Sequence, residues 1–156
     1  MAVNKKGISI IELLVVTAII FIGLIGLLSA ATFSLKFSRL IKENETAKAL
    51  AEEALEAVRN FRDGTTWDTN GLRILDLDPI VYHPEKIGTP PRWNLALGQE
   101  TINGFTRKVI IKKVFRDANS DIALVGTEDA NTKLVTATVS WSNRTVEVST
   151  YLTNWK

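Results

Sequence analysis

From Leu13 through Leu35 the chain carries no charged side chain. At ~1.5 Å of rise per residue this stretch makes a helix of ~34 Å, enough to cross a hydrocarbon layer of ~30 Å. So much contiguous apolar surface has to be taken out of water, in lipid or against protein, and this requirement dominates what the chain can become. The run reads as a membrane helix. A secretory signal has a shorter apolar region closed by small residues at a cleavage site. Ser29-Ala30-Ala31 supplies such residues, so cleavage there is the competing reading.

The 156 residues leave room for one modest domain beside this helix. An apolar fraction of 46% is ordinary, but a large share of it lies between residues 8 and 35. The formal charge of +2 lacks the basic surplus of a dedicated nucleic-acid binder. With no cysteine, disulfides, thiol catalysis and thiolate metal sites are excluded. The single histidine, His83, stands in the loop-like stretch Val81-Tyr82-His83-Pro84 and supports neither a His-rich zinc site nor a Ser-His-Asp triad. No Gly-rich phosphate loop or nucleophile-base arrangement is recognisable, so the chain reads as a non-enzyme with no cofactor.

Glu12 is the anomaly. It lies inside the apolar block, with Ile8, Ile10 and Ile11 before it and Leu13, Leu14, Val15 and Val16 after it. A carboxylate deep in a bilayer costs ~2.5–3.5 kcal/mol on insertion scales, and intramembrane ionisable groups usually face a protein partner. Glu12 also sits one turn inside the helix start, where interfacial water and the positive end of the helix dipole stabilise it cheaply. The residues alone leave both readings open.

The segment Lys5-Lys6-Gly7-Ile8-Ser9-Ile10-Ile11-Glu12-Leu13-Leu14-Val15-Val16 resembles the processing motif of type IV prepilins and of the pseudopilins of type II secretion and competence systems. In that family a short basic leader ends in Gly, the next residue is hydrophobic, and a Glu follows five positions after the Gly. Gly7, Ile8 and Glu12 match those three positions. The resemblance implies cleavage between Gly7 and Ile8 by a prepilin peptidase, then N-methylation of Ile8. A glycine has no Cβ to obstruct a close approach to its backbone, so the chemistry is sensible there. Removing residues 1–7 takes Lys5 and Lys6 away and leaves the remainder formally neutral. The resemblance further implies that Glu12 pairs with the terminal amine of a neighbouring subunit, which would neutralise two costly charges in an apolar filament core.

Other implied partners are pilin or pseudopilin subunits, and membrane lipid before assembly. The implied location is the cytoplasmic membrane, as a single-pass protein with its head outside the cytoplasm, and then a pilus or other filament. Three departures point to a minor pilin or pseudopilin: Ile8 replaces the phenylalanine most common in major pilins, no proline interrupts the apolar helix, and no C-terminal disulfide loop can form. The alternative reading is a permanently inserted single-pass protein whose extracytoplasmic head binds a ligand.

Beyond Leu35 the helical period continues in amphipathic form. Phe37, Leu40, Ile41, Ala47, Ala51, Ala54, Leu55, Val58 and Phe61 recur at spacings of three and four. Arg62-Asp63-Gly64 supplies C-terminal chemistry. One helix from Ile8 to Arg62 would be ~82 Å long. The expected organisation is a leader at 1–7, an assembly helix at 8–35, its amphipathic continuation at 36–62 and a β-rich head at 63–156. Glycine and proline are dense through 63–104, where short strands at Leu72–Leu77 and Trp93–Leu97 are the candidates. Alternating patterns then predict strands at Phe105–Arg116, with Phe105, Val109, Ile111 and Phe115 on one face, at 135–141 and from Val146 onward, with Ser142-Asn143-Arg144 turning the last hairpin. The fold class is α+β, a sheet wrapped on the helix.

Two further features invite sites. Asp117, Asn119, Asp121 and Glu128 fall at the first, third, fifth and twelfth positions of a calcium loop, but Ile122 stands where such a loop needs Gly. Asp and Asn are also ordinary turn formers, so no metal site is assigned. Arg107, Lys108, Lys112, Lys113 and Arg116 form a basic cluster near Phe105 and Phe115. The favoured reading is a solvated sheet face whose lysines discourage edge pairing, and a nucleic-acid partner stays open as the lesser one.

Overall fold

The computed structural model describes Gly7, residues 9–75 and residues 77–155. One helix, α1 (Ile10–Gly64), precedes seven strands: β1 (Val81–Ile87), β2 (Arg92–Leu97), β3 (Glu100–Ile102), β4 (Phe105–Arg116), β5 (Ile122–Ala123), β6 (Thr127–Trp141) and β7 (Arg144–Thr153). The strands form one antiparallel sheet in the order β2-β1-β4-β6-β7, with β3 and β5 both added to β4. This is the α+β layout expected, with an apolar N-terminal helix and a C-terminal sheet. The chain divides into two units between Glu43 and Asn44.

In the second unit the helix packs its small residues against the sheet. Ala47, Ala51 and Ala54 are fully buried, and Leu55, Val58 and Phe61 continue the same stripe. Alanines at this spacing let the helix backbone approach the sheet closely, while the larger side chains fill the widening gap beyond them. They meet Val109 and Ile111 of β4, Val135, Ala137 and Val139 of β6, and Leu152 of β7. Tyr82, Leu95, Trp67 and Leu72 close the cluster.

Several expected elements need correction. None of the described residues of Leu72–Leu77 is in a strand; Leu72 is fully buried in a turn, and Leu75 and Leu77 pack against the core. Asn103 and Gly104 carry the positive φ angles of the β3–β4 hairpin, and Ser142 and Asn143 carry those of the β6–β7 hairpin. Arg144 therefore belongs to β7, paired with Trp141, and not to the turn. Phe105, Val109 and Ile111 share the core face as expected, but Phe115 stands outside the cluster, beyond a register shift between Lys113 and Phe115. β6 begins at Thr127, eight residues earlier than its alternating apolar pattern predicts.

Candidate functional site

The candidate site is the start of α1. Its first turn is defined by the Leu13 amide, which donates to the Ser9 carbonyl at 3.1 Å. Glu12 lies in that first turn. A first-turn carboxylate is near the positive end of the helix dipole, which lowers the cost of a charge at this point. Gly7 is exposed just outside the helix, and a Cβ at this position would meet nothing within 4 Å. Ile8, the expected first residue of a processed chain and its methylation site, lies outside the described residues, as do Lys5 and Lys6.

After Glu12 the helix offers only apolar and hydroxyl side chains through Leu35. Every large apolar side chain from Ile10 to Leu35 is exposed, and the helix contains a window of mean hydropathy 2.8 with none of it buried. By length and composition it can cross a membrane. Three of the hydroxyls bond within the helix. Thr17 donates to the Leu14 carbonyl at 2.9 Å, Ser29 to Ile25 at 2.8 Å and Thr32 to Ser29 at 2.9 Å. At these three positions no unmet hydroxyl donor faces an apolar surrounding. Past the apolar run Arg39 pairs with Glu43 at 2.9 Å, one turn on.

The second unit separates residues that the sequence placed together. Arg107 is not part of a surface cluster: it is 3% exposed on the core face of β4. Its guanidinium holds Glu100 of β3 at 2.7 Å, Glu53 of α1 at 3.2 Å and the Leu50 carbonyl at 3.2 Å. The fork geometry of arginine suits this bridging of helix and sheet. Its position two residues before Val109, in phase with the core face, was the available signal. The other cations are mostly engaged with carboxylates. Lys112 meets Asp78 at 3.4 Å, Lys113 meets Glu128 at 2.6 Å and Arg116 meets Asp129 at 2.7 Å. A nucleic-acid surface needs cations free to reach phosphates, and this arrangement does not provide a row of them.

The acidic loop is likewise dispersed. Asp117 accepts the amides of Asn119 at 2.8 Å and Asp121 at 3.0 Å, closing a turn on itself. Glu128 is turned to Lys113 and to the buried Lys133. Among the described residues no group of three His, Cys, Asp or Glu side chains gathers into a cation site. The Lys113 hydrogen bond holds the Glu128 carboxyl below its ordinary value, and the Arg116 hydrogen bond does the same for Asp129. Burial holds the Lys133 ammonium below its ordinary value. Sequence inspection missed Lys133 as a core-side lysine, although it stands two residues before Val135 in the same phase.

His83 lies on β1, partly buried, with Nδ1 3.4 Å from the Gly98 carbonyl oxygen. A cleft of about 640 Å³ between Phe61, Asn70, Pro90 and Trp93 has no His, Cys, Asp or Glu in its lining. Comparison with protein-family models, with curated proteins and with solved structures finds no match to this chain.

Proposed function

We propose that the chain is a structural subunit of a type IV pilin-like filament, a minor pilin or a pseudopilin. The observation that supports it best is Glu12: a lone carboxylate in the first turn of an otherwise uncharged, membrane-length helix, five positions after Gly7. The precursor rests in the cytoplasmic membrane as a single-pass protein with its head outside the cytoplasm. Prepilin peptidase cuts between Gly7 and Ile8, the Ile8 amine is methylated, and the helix leaves lipid for contacts with other pilin or pseudopilin subunits. Glu12 then neutralises the amine of a neighbour, in a setting where opposite charges attract far more strongly than in water. Nothing in this role requires a catalytic group or a cofactor.

Intact-mass and peptide mass spectrometry of the membrane-extracted protein tests the proposal. The expected mature chain begins at Ile8 with a methylated amine, and Gly7→Val retains the leader. Recovery of the uncut N-terminus from cells with an active peptidase overturns the reading and returns the chain to the class of permanently inserted single-pass proteins.

A further inference from the structure

The last turn of α1, the turns that follow it and the β1–β2 hairpin enclose the cleft of about 640 Å³, a size within the ~300–1,000 Å³ usual for small-molecule sites. Part of its wall is apolar: Phe61 from the helix, Pro90 and Pro91 from the hairpin turn, and Trp93 from β2. Trp93 shares its sheet face with the buried Leu95, which places the indole on the side that packs against α1. Lys86, its partner across the β1–β2 ladder, sets its ammonium 4.6 Å from the ring centre and is not part of the cleft lining. The indole surface in the cleft is therefore surface that Lys86 leaves uncovered.

Most of the remaining lining is amide and hydroxyl, and the amides are half used. Asn60 donates from Nδ2 to the Glu56 carbonyl at 2.8 Å, and Asn94 donates from Nδ2 to the Glu85 carboxylate at 2.8 Å. Asn70 accepts at Oδ1 from the Thr66 amide at 2.7 Å. A carbonyl or carboxylate can only accept and a backbone N–H can only donate, so these partners fix which end of each side chain is spent. Among the described residues nothing bonds to the other ends: the acceptors Asn60 Oδ1 and Asn94 Oδ1, and the donor Asn70 Nδ2. Each belongs to an amide already held in place, so little freedom is lost when a guest binds it. Arg92 is the one charged side chain among the described residues of the lining.

We propose that this cleft binds a neutral saccharide of one or two rings. The two amide acceptors call for hydroxyl donors and disfavour an anion, while Asn70 and Arg92 supply donors for hydroxyl and ring oxygens. The C–H face of a sugar ring packs on the indole of Trp93. A proline-rich peptide is the other common guest of a wall of Trp and Pro, but it has no N–H at its prolines to offer the acceptors. A purely apolar guest leaves all three amide ends unmet. The cleft lies wholly within the second unit, so the site does not depend on the filament reading.

Saturation-transfer NMR tests the site. The full-length protein is held in lauryldimethylamine oxide micelles, whose headgroup is not a sugar, and titrated with cellobiose, maltose, lactose and diacetylchitobiose. At least one is expected to bind with Kd of about 0.1–1 mM, as suits a small guest held by a few polar contacts. Asn70→Asp keeps the acceptor for the Thr66 amide and replaces the free donor by an acceptor; it is expected to weaken binding about fivefold. Trp93→Ala is expected to weaken it about tenfold. Should Trp93→Ala fail to fold by circular dichroism, Asn70→Asp, on an exposed turn, decides the matter. Absence of binding by all four sugars overturns the proposal, as does capture of a decaproline peptide in their place. Sugar binding that neither variant weakens overturns it as well, because the sugar then sits elsewhere.

Discussion

Glu12 is followed by side chains without charge as far as Leu35, so no charge in the apolar run answers its carboxylate. On the proposed reading the partner is a neighbour's amine. Glu12→Ala is then expected to insert as well as wild type or slightly better, since a costly group leaves an apolar helix. Cleavage at Gly7 continues, and the assembled fraction falls when sheared filaments are compared with membranes. Normal incorporation of the alanine variant rules out the pairing. In the head, charge sets a pH dependence. Glu128 and Asp129 bind protons less readily folded than unfolded, because Lys113 and Arg116 hydrogen-bond their charged forms. Their contribution is present above the ordinary values of 4.5 and 3.8 and is lost as pH falls through the lower folded values. Lys133 acts at the other end. Burial disfavours its charged form, so the unfolded chain holds more protons just below the ordinary value of 10.5, and stability rises as pH climbs through that window. Thermal unfolding followed by tryptophan emission should show a drop on acidification, made shallower by Asp129→Asn.

Among the elements, Arg107 joins α1, β3 and β4 through one guanidinium. Arg107→Ala removes these bonds and is expected to cost about 2–3 kcal/mol, as for hydrogen bonds to charged groups. Arg107→Lys recovers only part, because an ammonium lacks the planar fork. The midpoint of urea unfolding measures both. β4, β2 and the closing hairpin were legible because period-two alternation with flanking turn residues is a local signal. β1 was not, because Pro84 argues against a strand. In the sheet Pro84 lies past Val81 and Tyr82, the only residues of β1 paired with β4, so one side of the strand has no ladder bond to lose. The first part of β6, Thr127 to Lys133, is polar except for Ala130, and its strand state comes from pairing that no local pattern announces. Leu72, Leu75 and Leu77 misled in the opposite sense: a turn segment buried under the core carries apolar side chains too. At the candidate site the position of Glu12 on the helix was readable from spacing, whereas the splitting of the basic cluster depended on which sheet face each residue takes.

At the scale of the whole molecule, the division between Glu43 and Asn44 separates an exposed apolar unit from one that buries its own core. A chain beginning at residue 36 is expected to fold in water, with circular dichroism of a mixed helix and sheet and with protected emission from Trp67 and Trp141. A disordered spectrum or obligatory aggregation would show that the second unit needs the first. The hydroxyls of Thr17, Ser29 and Thr32 bear on what the first unit can do between two surroundings. Since each bonds to its own helix, moving from lipid to packed helices breaks no hydrogen bond at these positions and makes none. Both surroundings are apolar, so the exchange is nearly balanced apart from the charge at Glu12. On the proposed reading this makes the step reversible: a subunit can return to the bilayer as readily as it left, and the direction of travel is set by Glu12 pairing and by work supplied from outside the chain.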